Sequence, residues 1–420
     1  MIAKDVPVSA AAPVPPARCE ILIIGAGPAG CAAARVLAQR GHDVLLVDKQ
    51  PLGRDKICGD GLIPDTHAAL ERLGLLDRVL ARAKRLGQIS FTGRGGGRLE
   101  LSAPIAVLPR RELDQLLNEA AQEAGARFLA PASFEAPLVD AAGKVCGARL
   151  VIDGQKHEIA ADWVVLATGA VPGALAAAGM CERQTPSGIA MRGYVHAPGL
   201  SSRLQSQLDI AWSDAVKPGY GWIFPAPGDL YNIGVGVAGS HVSDGDGKGH
   251  KNRQINLRAM FDAFVESYPL AAELMREGRM VGELKGAPLR FSLEGARWTR
   301  PGLLVTGEAA GSTYSLTGEG IGKALETGIL AAEAIAQHGQ DEAAARAAYE
   351  QSLAALKPRF ETYAKANRIN AHPWIGDLLI WRAQRSERLR QKMQGVLNET
   401  SSPGALVSLR GLSRLLFSWS

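Results

Sequence analysis

Short apolar runs alternate with Ala-rich stretches of helical spacing over the first part of the chain, which predicts an α/β fold. Residues 20–24 read Glu-Ile-Leu-Ile-Ile, the pattern of a strand buried on both faces. Residues 31–40 follow as a helix that Gly41 stops, and 42–47 form a second strand. Residues 64–80 carry apolar positions at helical spacing. A hairpin is predicted over 87–101, with Gly93-Arg94-Gly95-Gly96-Gly97 at its tip. Residues 105–108 read as another short strand and 111–124 as an amphipathic helix. Residues 126–136, 144–152 and 158–166 predict a small β-meander. Residues 191–237 alternate as strands of a second sheet, and 239–252 form a polar, exposed loop. Helices follow over 256–268 and 270–277. Residues 302–308 make another buried strand and turn, a long Ala-rich helix opens at 318–322, and 342–420 read as largely helical. No internal repeat is present.

The first strand runs straight into Gly25-Ala26-Gly27-Pro28-Ala29-Gly30. Each glycine has a physical reason: a tight turn, close approach of backbone to a pyrophosphate, and close packing of helix on strand. The helix start offers free N–H groups and positive dipole to phosphates. Asp48, closing the second strand and followed by Lys49, has nearly the spacing of an acid that holds ribose hydroxyls. A lone glycine motif is weak, but strand, helix, second strand and acid in order specify dinucleotide binding. The pattern does not separate NAD from FAD.

The 420 residues suffice for two interleaved domains. A net charge of +5 without a basic block argues against nucleic acid. Five scattered cysteines, with no Cys-x-x-Cys or Cys/His cluster, predict neither a zinc site nor a disulfide framework, so no metal is expected. The default compartment is then the cytoplasm. Residues 1–18 read as a loose tail rather than a signal peptide, and no apolar run is long enough for a membrane span.

Further segments carry chemistry. Ala167-Thr168-Gly169-Ala170 ends an apolar strand. Gly307-Glu308 ends another, and Gly318-Glu319-Gly320-Ile321-Gly322 opens a helix whose dipole suits the negative charge of a reduced flavin. This order resembles the class of FAD enzymes that includes aromatic hydroxylases, halogenases and geranylgeranyl reductases. Arg110 with Leu113, Asp114 and Leu117 looks like that class's Arg-x-x-Leu/Phe-Asp-x-x-Leu segment, in which the arginine approaches the cofactor. Lys56-Ile57-Cys58-Gly59-Asp60 looks like the Lys-x-Cys-Gly-Gly/Asp segment of geranylgeranyl reductases. Tyr220-Gly221-Trp222-Ile223-Phe224-Pro225, then Gly234-Val235-Gly236, looks like that family's Tyr-x-Trp-x-Phe-Pro and Gly-x-Gly motif. Strand geometry sets Tyr220, Trp222 and Phe224 on one face, able to wall a cavity for a long apolar chain. The chain departs from the class at Ala167-Thr168-Gly169-Ala170, where many relatives carry Gly-Ala-Asp-Gly, and at Glu308, where Asp is commoner. The halogenase pattern Trp-x-Trp-x-Ile-Pro is not matched.

The resemblance implies a Rossmann-type FAD-binding domain (19–87, 105–185 and 296–338) interleaved with an antiparallel-sheet substrate domain (88–104 and 186–295). A helical C-terminal region (339–420) follows. It implies FAD contacts from Gly25, Ala26, Gly27, Pro28, Ala29, Gly30, Asp48, Lys49, Lys56, Cys58, Gly59 and Arg110. Thr168, Gly169, Gly307, Glu308, Gly318, Gly320, Ile321 and Gly322 complete that set. The substrate set is Tyr220, Trp222, Phe224, Pro225, Gly234 and Gly236, with Cys58, Tyr220 and Trp222 as catalytic candidates. Lys56 and the glycine turn would lower the pKa of the Cys58 thiol. The implied activity is reduction of carbon–carbon double bonds in a prenyl or other polyunsaturated apolar substrate, with NAD(P)H or reduced ferredoxin recharging the flavin. A flavin monooxygenase acting on an apolar substrate, and a non-catalytic flavin or isoprenoid carrier, stay open as alternatives. Residues 406–420, with leucines, Arg410, Arg414 and Trp419, suit either a helix packed on the flavin domain or an amphipathic helix on the inner face of a membrane.

Overall fold

The computed structural model describes residues 15–200, 204, 206–239, 255–401 and 403. The segment at 406–420, nearly all of the 239–252 loop and most of the 1–18 tail lie outside the described residues.

The chain opens with β1 (Arg18–Ile24), α1 (Pro28–Gln39) and β2 (Val44–Val47). After β3 (Gly61–Leu62), the helix expected over 64–80 is two, α2 (Pro64–Arg72) and α3 (Leu76–Leu80). Gly74 lies between them at φ +67°, a left-handed turn that glycine takes without steric cost. The hairpin is β4 (Lys84–Thr92) and β5 (Arg98–Val107). β5 absorbs the separate strand expected at 105–108, because its pairing with β4 continues to Val107; its alternation of buried and exposed residues runs to Ile105, and Ile105, Ala106 and Val107 are all buried. Next come α4 (Arg110–Glu123), β6 (Arg127–Leu129), β7 (Ser133–Val139), β8 (Val145–Ile152) and β9 (Gln155–Leu166). The expected meander begins later than the sequence suggests: β6 joins β2 in parallel, and only β7, β8 and β9 run as a meander. Then follow α5 (Gly173–Ala177), β10 (Gly188–His196), β11 (Gln207–Ala211), β12 (Gly219–Ala226) and β13 (Leu230–Ala238). The remainder is α6 (Leu257–Ser267), α7 (Pro269–Glu277), β14 (Arg279–Leu289), β15 (Thr299–Arg300), β16 (Leu303–Val305), α8 (Ile321–His338), α9 (Glu342–Ala366), α10 (Arg368–Ala371), α11 (Pro373–Ala383) and α12 (Glu387–Leu397).

The first sheet has the order β15-β16-β9-β1-β2-β6 and is parallel from β16 to β6. Successive side chains of a strand point to opposite faces. Ile21 and Ile23 accordingly pack in one cluster with α1, α4 and α8, while Leu22 and Ile24 pack in a second with the meander. That double burial is why residues 20–24 read as an unbroken apolar run.

The second sheet has the order β14-β10-β13-β12-β11-β4-β5-β3. It is antiparallel except where β11 runs parallel to β4. The α6 and α7 helices cover part of one face. Its ladders extend through β4 and β5 to their ends and include β3, so this sheet takes more of the chain than the 88–104 piece assigned from sequence. The α11 and α12 helices pack in one cluster with β4 and β5, α11 through Ile375, Leu379 and Ile380 and α12 through Leu389 and Met393.

The glycine turn and α1 are packed without slack. A Cβ on Gly30 would stand 1.8 Å from the Gly25 carbonyl oxygen, and one on Gly328 of α8 would stand 2.2 Å from the Ala29 carbonyl oxygen. Neither backbone atom can retreat without moving a central element. Gly30→Ala is therefore expected to cost about 3 kcal/mol or more of stability, visible as a lowered melting temperature even without cofactor.

Candidate functional site

The turn after β1 is held in shape by the acid at the end of β2. Asp48 accepts the Ala26 N–H at 2.8 Å on one oxygen and the Gln50 N–H at 2.9 Å on the other, with Arg54 at 3.7 Å. The residue expected on a ribose is thus first a brace for the glycine turn, and it is only 6% exposed. Gly25 adopts φ +108°, and a Cβ there would press on the Ala167 carbonyl oxygen at 2.3 Å. Gly27 differs: its added Cβ would meet only the Arg110 guanidinium, at 3.9 Å. Open space over Gly27, beside an α1 N-terminus with no side-chain cap, is a cradle for a phosphate. The buried Thr168 hydroxyl next to this turn has no partner among the described residues. These features fit the pyrophosphate of a bound FAD.

A continuous cleft leads from this cradle to the second sheet. It is lined by Gly27, Pro28 and Ala29, then by Lys56, Cys58, Gly59, Arg110, Gly169 and Glu308, and at its far side by Tyr220, Trp222 and Phe224. Arg110 is the first residue of α4 and is locked in a bidentate pair with Asp114, at 2.7 and 2.8 Å. Burial and the Arg110 charge push the Lys56 ammonium below its ordinary pKa. Burial pushes the Cys58 thiol upward, with Arg110 opposing. The lowered thiol pKa expected from sequence is therefore reversed: dense surroundings disfavour the thiolate more than nearby cations favour it. Burial also raises Glu308, opposed by Lys56 and Arg110.

Asp60, absent from the set expected by sequence, organises the centre of the site. It is fully buried at φ +66°. One oxygen accepts the Tyr194 hydroxyl and the Asn232 amide at 2.8 Å, and the other accepts the Arg110 backbone N–H at 3.3 Å. Asn232 also donates to the Cys58 carbonyl oxygen at 2.7 Å and accepts the Trp222 indole N–H at 2.9 Å. Burial still wins over these donors and raises the Asp60 pKa to about 6. Arg192, also missed, lines the cleft, pairs with Asp55 and donates to the Lys56 carbonyl oxygen at 2.9 Å. No local signal marks Tyr194, Arg192 or Asn232, since their partners lie on a distant turn.

The aromatic wall stands on β12, as the alternation of Tyr220, Trp222 and Phe224 requires. Ring centroids lie 6.0 and 6.1 Å apart along the row. Gly234 and Gly236 face Trp222 and Tyr220 across the ladder. A Cβ on Gly234 would stand 2.3 Å from the Trp222 ring, and one on Gly236 3.4 Å from it. The two glycines thus make room for the indole. Gly236 lines the cleft, but Gly234 does not. Pro225 points to the opposite face from Phe224 and is absent from the lining, because strand alternation turns it away. The Tyr220 hydroxyl donates to the Thr317 carbonyl oxygen, and burial raises its pKa well above the ordinary phenol range.

The α8 end of the cleft holds one more acid. Glu319 lines it with Gly318, Gly320 and Ile321. Its Oε1 accepts the Thr66 hydroxyl at 3.2 Å and the Gly322 N–H at 3.0 Å. Burial raises its pKa to about 7. Gly322 does not line the cleft: an added Cβ would meet the Asp65 carboxylate at 2.7 Å, so this glycine admits a side chain. Gly307 likewise serves packing, at φ +66° against Ala29. Gly25, Ala26, Gly30, Asp48 and Thr168 belong to the turn or lie beside it, outside the lining, and Lys49 is exposed and also outside it.

Two outcomes check this geometry. Gly27→Ala should keep the stability of the cofactor-free protein within about 1 kcal/mol of wild type but weaken FAD binding, read by flavin titration. Glu319→Gln keeps an acceptor for Thr66 and Gly322 and removes only the ionisable proton. An acid with a raised folded-state pKa binds its proton more tightly when folded, so its stabilisation is lost as pH rises. Denaturation across pH should show wild type losing stability relative to Glu319→Gln from pH 4.5 to about 7 and no further change above that. The slope should approach about 1.4 kcal/mol per pH unit.

Residues 18–225 match the family model described as FAD binding domain. The chain is 32% identical over 342 residues to a menaquinone reductase of Mycolicibacterium smegmatis, covering 77% of each protein. It is 30% identical over 317 residues to digeranylgeranylglycerophospholipid reductase 1 of Methanopyrus kandleri, covering 75% of this chain and 79% of that one. A geranylgeranyl bacteriochlorophyll reductase-like structure from Thermoplasma acidophilum superposes with TM-score 0.70 at 21% identity, covering 95% and 96% of the two chains. A flavin-dependent brominase gives the same TM-score at 20% identity over 94% and 95%, which shows a common fold. An FAD cradle, a cysteine turn and an aromatic wall in one cleft, together with these relatives, make the chain a member of the geranylgeranyl reductase family of FAD-dependent oxidoreductases.

Proposed function

We propose that the protein reduces carbon–carbon double bonds of a prenyl or other polyunsaturated apolar substrate. The carrying observation is the wall of the cleft beyond the cradle: Tyr220, Trp222 and Phe224 continue into Ile89, Phe91, Leu208 and Ile210. An apolar arm of that kind excludes water from a long hydrocarbon chain and orients it by shape. The relatives are named as reductases, one of them of a digeranylgeranyl lipid.

FAD, once reduced, supplies the hydride from N5, and NAD(P)H or reduced ferredoxin is the electron donor in this reading. Alkene reduction also needs a proton, and the chain's own residues decide where one is held. The Tyr220 hydroxyl is engaged as a hydrogen-bond donor to the Thr317 carbonyl oxygen. The Cys58 sulfur accepts the Asp60 N–H at 3.4 Å and, with its pKa raised, keeps its own hydrogen. Cys58 is thus a protonated thiol on the cleft wall, and its neighbour Gly59 approaches the aromatic row, where an added Cβ would lie 3.0 Å from the Phe224 ring.

The test is anaerobic. The FAD-loaded protein is photoreduced and mixed with polyprenyl compounds, and flavin absorbance and product mass are followed. Flavin reoxidation with a gain of two hydrogens per bond is expected. Reoxidation only by oxygen, with oxygen in the product, would establish a monooxygenase instead, and binding without any turnover would establish a carrier. Cys58→Ala should retain FAD and slow reoxidation by substrate about tenfold or more; an unchanged rate would leave Cys58 as a pocket residue.

A further inference from the structure

Tryptophan is normally buried or half-buried, and Trp163, Trp212 and Trp222 follow that rule. Trp374 and Trp381 do not: they are 47% and 46% exposed. Both stand on α11, seven residues apart, so they share one face of the helix. The opposite face of the same helix, through Ile375, Leu379 and Ile380, packs in one apolar cluster with Ile89 and Leu208, which line the apolar arm of the cleft. The neighbouring α12 reaches the cleft itself through Leu397.

Charge follows the same geography. Residues 373–397 carry five basic residues against two acidic ones. Of the two acids, Asp377 is engaged by Arg94 and by the Gly95 N–H. Arg385 places its guanidinium over the Trp381 ring at 4.8 Å, and Arg388 and Lys392 of α12 are exposed. Indole rings at the head-group level, with cations beside them, are the chemistry of a protein lying on an anionic lipid surface. Among the described residues no helix is long and apolar enough to cross a membrane. Contact would be lateral.

We propose that α11 and α12 dock the protein on an anionic phospholipid surface, with Trp374 and Trp381 inserted at the interface and Arg385, Arg388 and Lys392 against the head groups. Docking by this face sets the helix that backs the apolar arm of the cleft directly on the bilayer. The surface is distinct from the 406–420 segment considered from sequence.

The full-length, FAD-loaded protein is sedimented with vesicles of mixed phosphatidylcholine and phosphatidylglycerol, and with vesicles of phosphatidylcholine alone. Wild type should bind the mixed vesicles, less at high salt, and bind phosphatidylcholine alone weakly. Trp374→Ser/Trp381→Ser should reduce partitioning roughly tenfold or more, with FAD content and melting temperature unchanged. Arg388→Gln/Lys392→Gln should remove part of the salt dependence. Equal partitioning of wild type and the tryptophan variant would overturn the proposal, as would absence of vesicle binding by wild type. A change of oligomeric mass in the tryptophan variant would assign the face to a second copy instead. Binding is read without turnover, so these outcomes stand apart from the success or failure of the alkene-reduction reading.

Discussion

The buried carboxylate of Asp60 is the joint on which the site depends. It belongs to the turn that leaves the FAD-binding sheet, yet its partners Tyr194 and Asn232 stand on β10 and β13 of the other sheet. A buried carboxylate without donors is costly, so the turn is stable only where those strands supply them. The same Asn232 side chain then fixes the Trp222 indole and the Cys58 carbonyl. One group thereby sets the distance between the cysteine turn and the aromatic wall. Arg192 closes the same seam from a second point by gripping Asp55 and the Lys56 carbonyl.

Much of the first sheet was legible because its signals are local. The glycine spacing, the double-sided apolar strand and the acid closing β2 all concern residues within one βαβ unit, where backbone geometry dictates residue type. The aromatic row was legible for the same reason: strand alternation alone puts Tyr220, Trp222 and Phe224 together. The same rule excludes Pro225 from the cleft, so including it ran against alternation. Gly234 and Gly322 illustrate a different failure. Gly234 looked like a substrate-site glycine and Gly322 like a cofactor glycine, and each is small for a neighbouring side chain, Trp222 in one case and Asp65 in the other. Sequence shows that a position is small but not what fills the space.

What stayed illegible is long-range electrostatics. Tyr194 and Asn232 lie 134 and 172 residues from Asp60. Glu319 draws its neighbourhood from Asp65 on α2, Lys323 on α8 and Glu399 beyond α12. The sign of the Cys58 shift belongs to the same class. A lysine and a glycine turn nearby suggested a thiolate, but the outcome is set by how much protein surrounds the sulfur, which only the folded chain determines.

That sign changes how the cleft is to be understood. Burial raises Cys58, Tyr220, Glu308 and Glu319 alike, and it depresses Lys56. For these groups the direction is toward the neutral form, as expected where apolar walls exclude water, while Arg110, paired with Asp114, is held charged. A solvated thiol already keeps its proton at neutral pH, so the change burial makes is at the carboxyl: it raises Glu319 from the ordinary carboxylate range to about 7. Of the hydroxyl and thiol groups on the wall, Tyr220 is bound to the Thr317 carbonyl, while Cys58 receives a hydrogen bond on sulfur and retains its own hydrogen. Glu319 receives both of its hydrogen bonds on Oε1, which leaves Oε2 to carry the proton. The same exclusion of water from an apolar-walled cleft therefore favours the protonated forms of these acids. Apolar walls and protonated side chains are here two results of one constraint rather than separate devices.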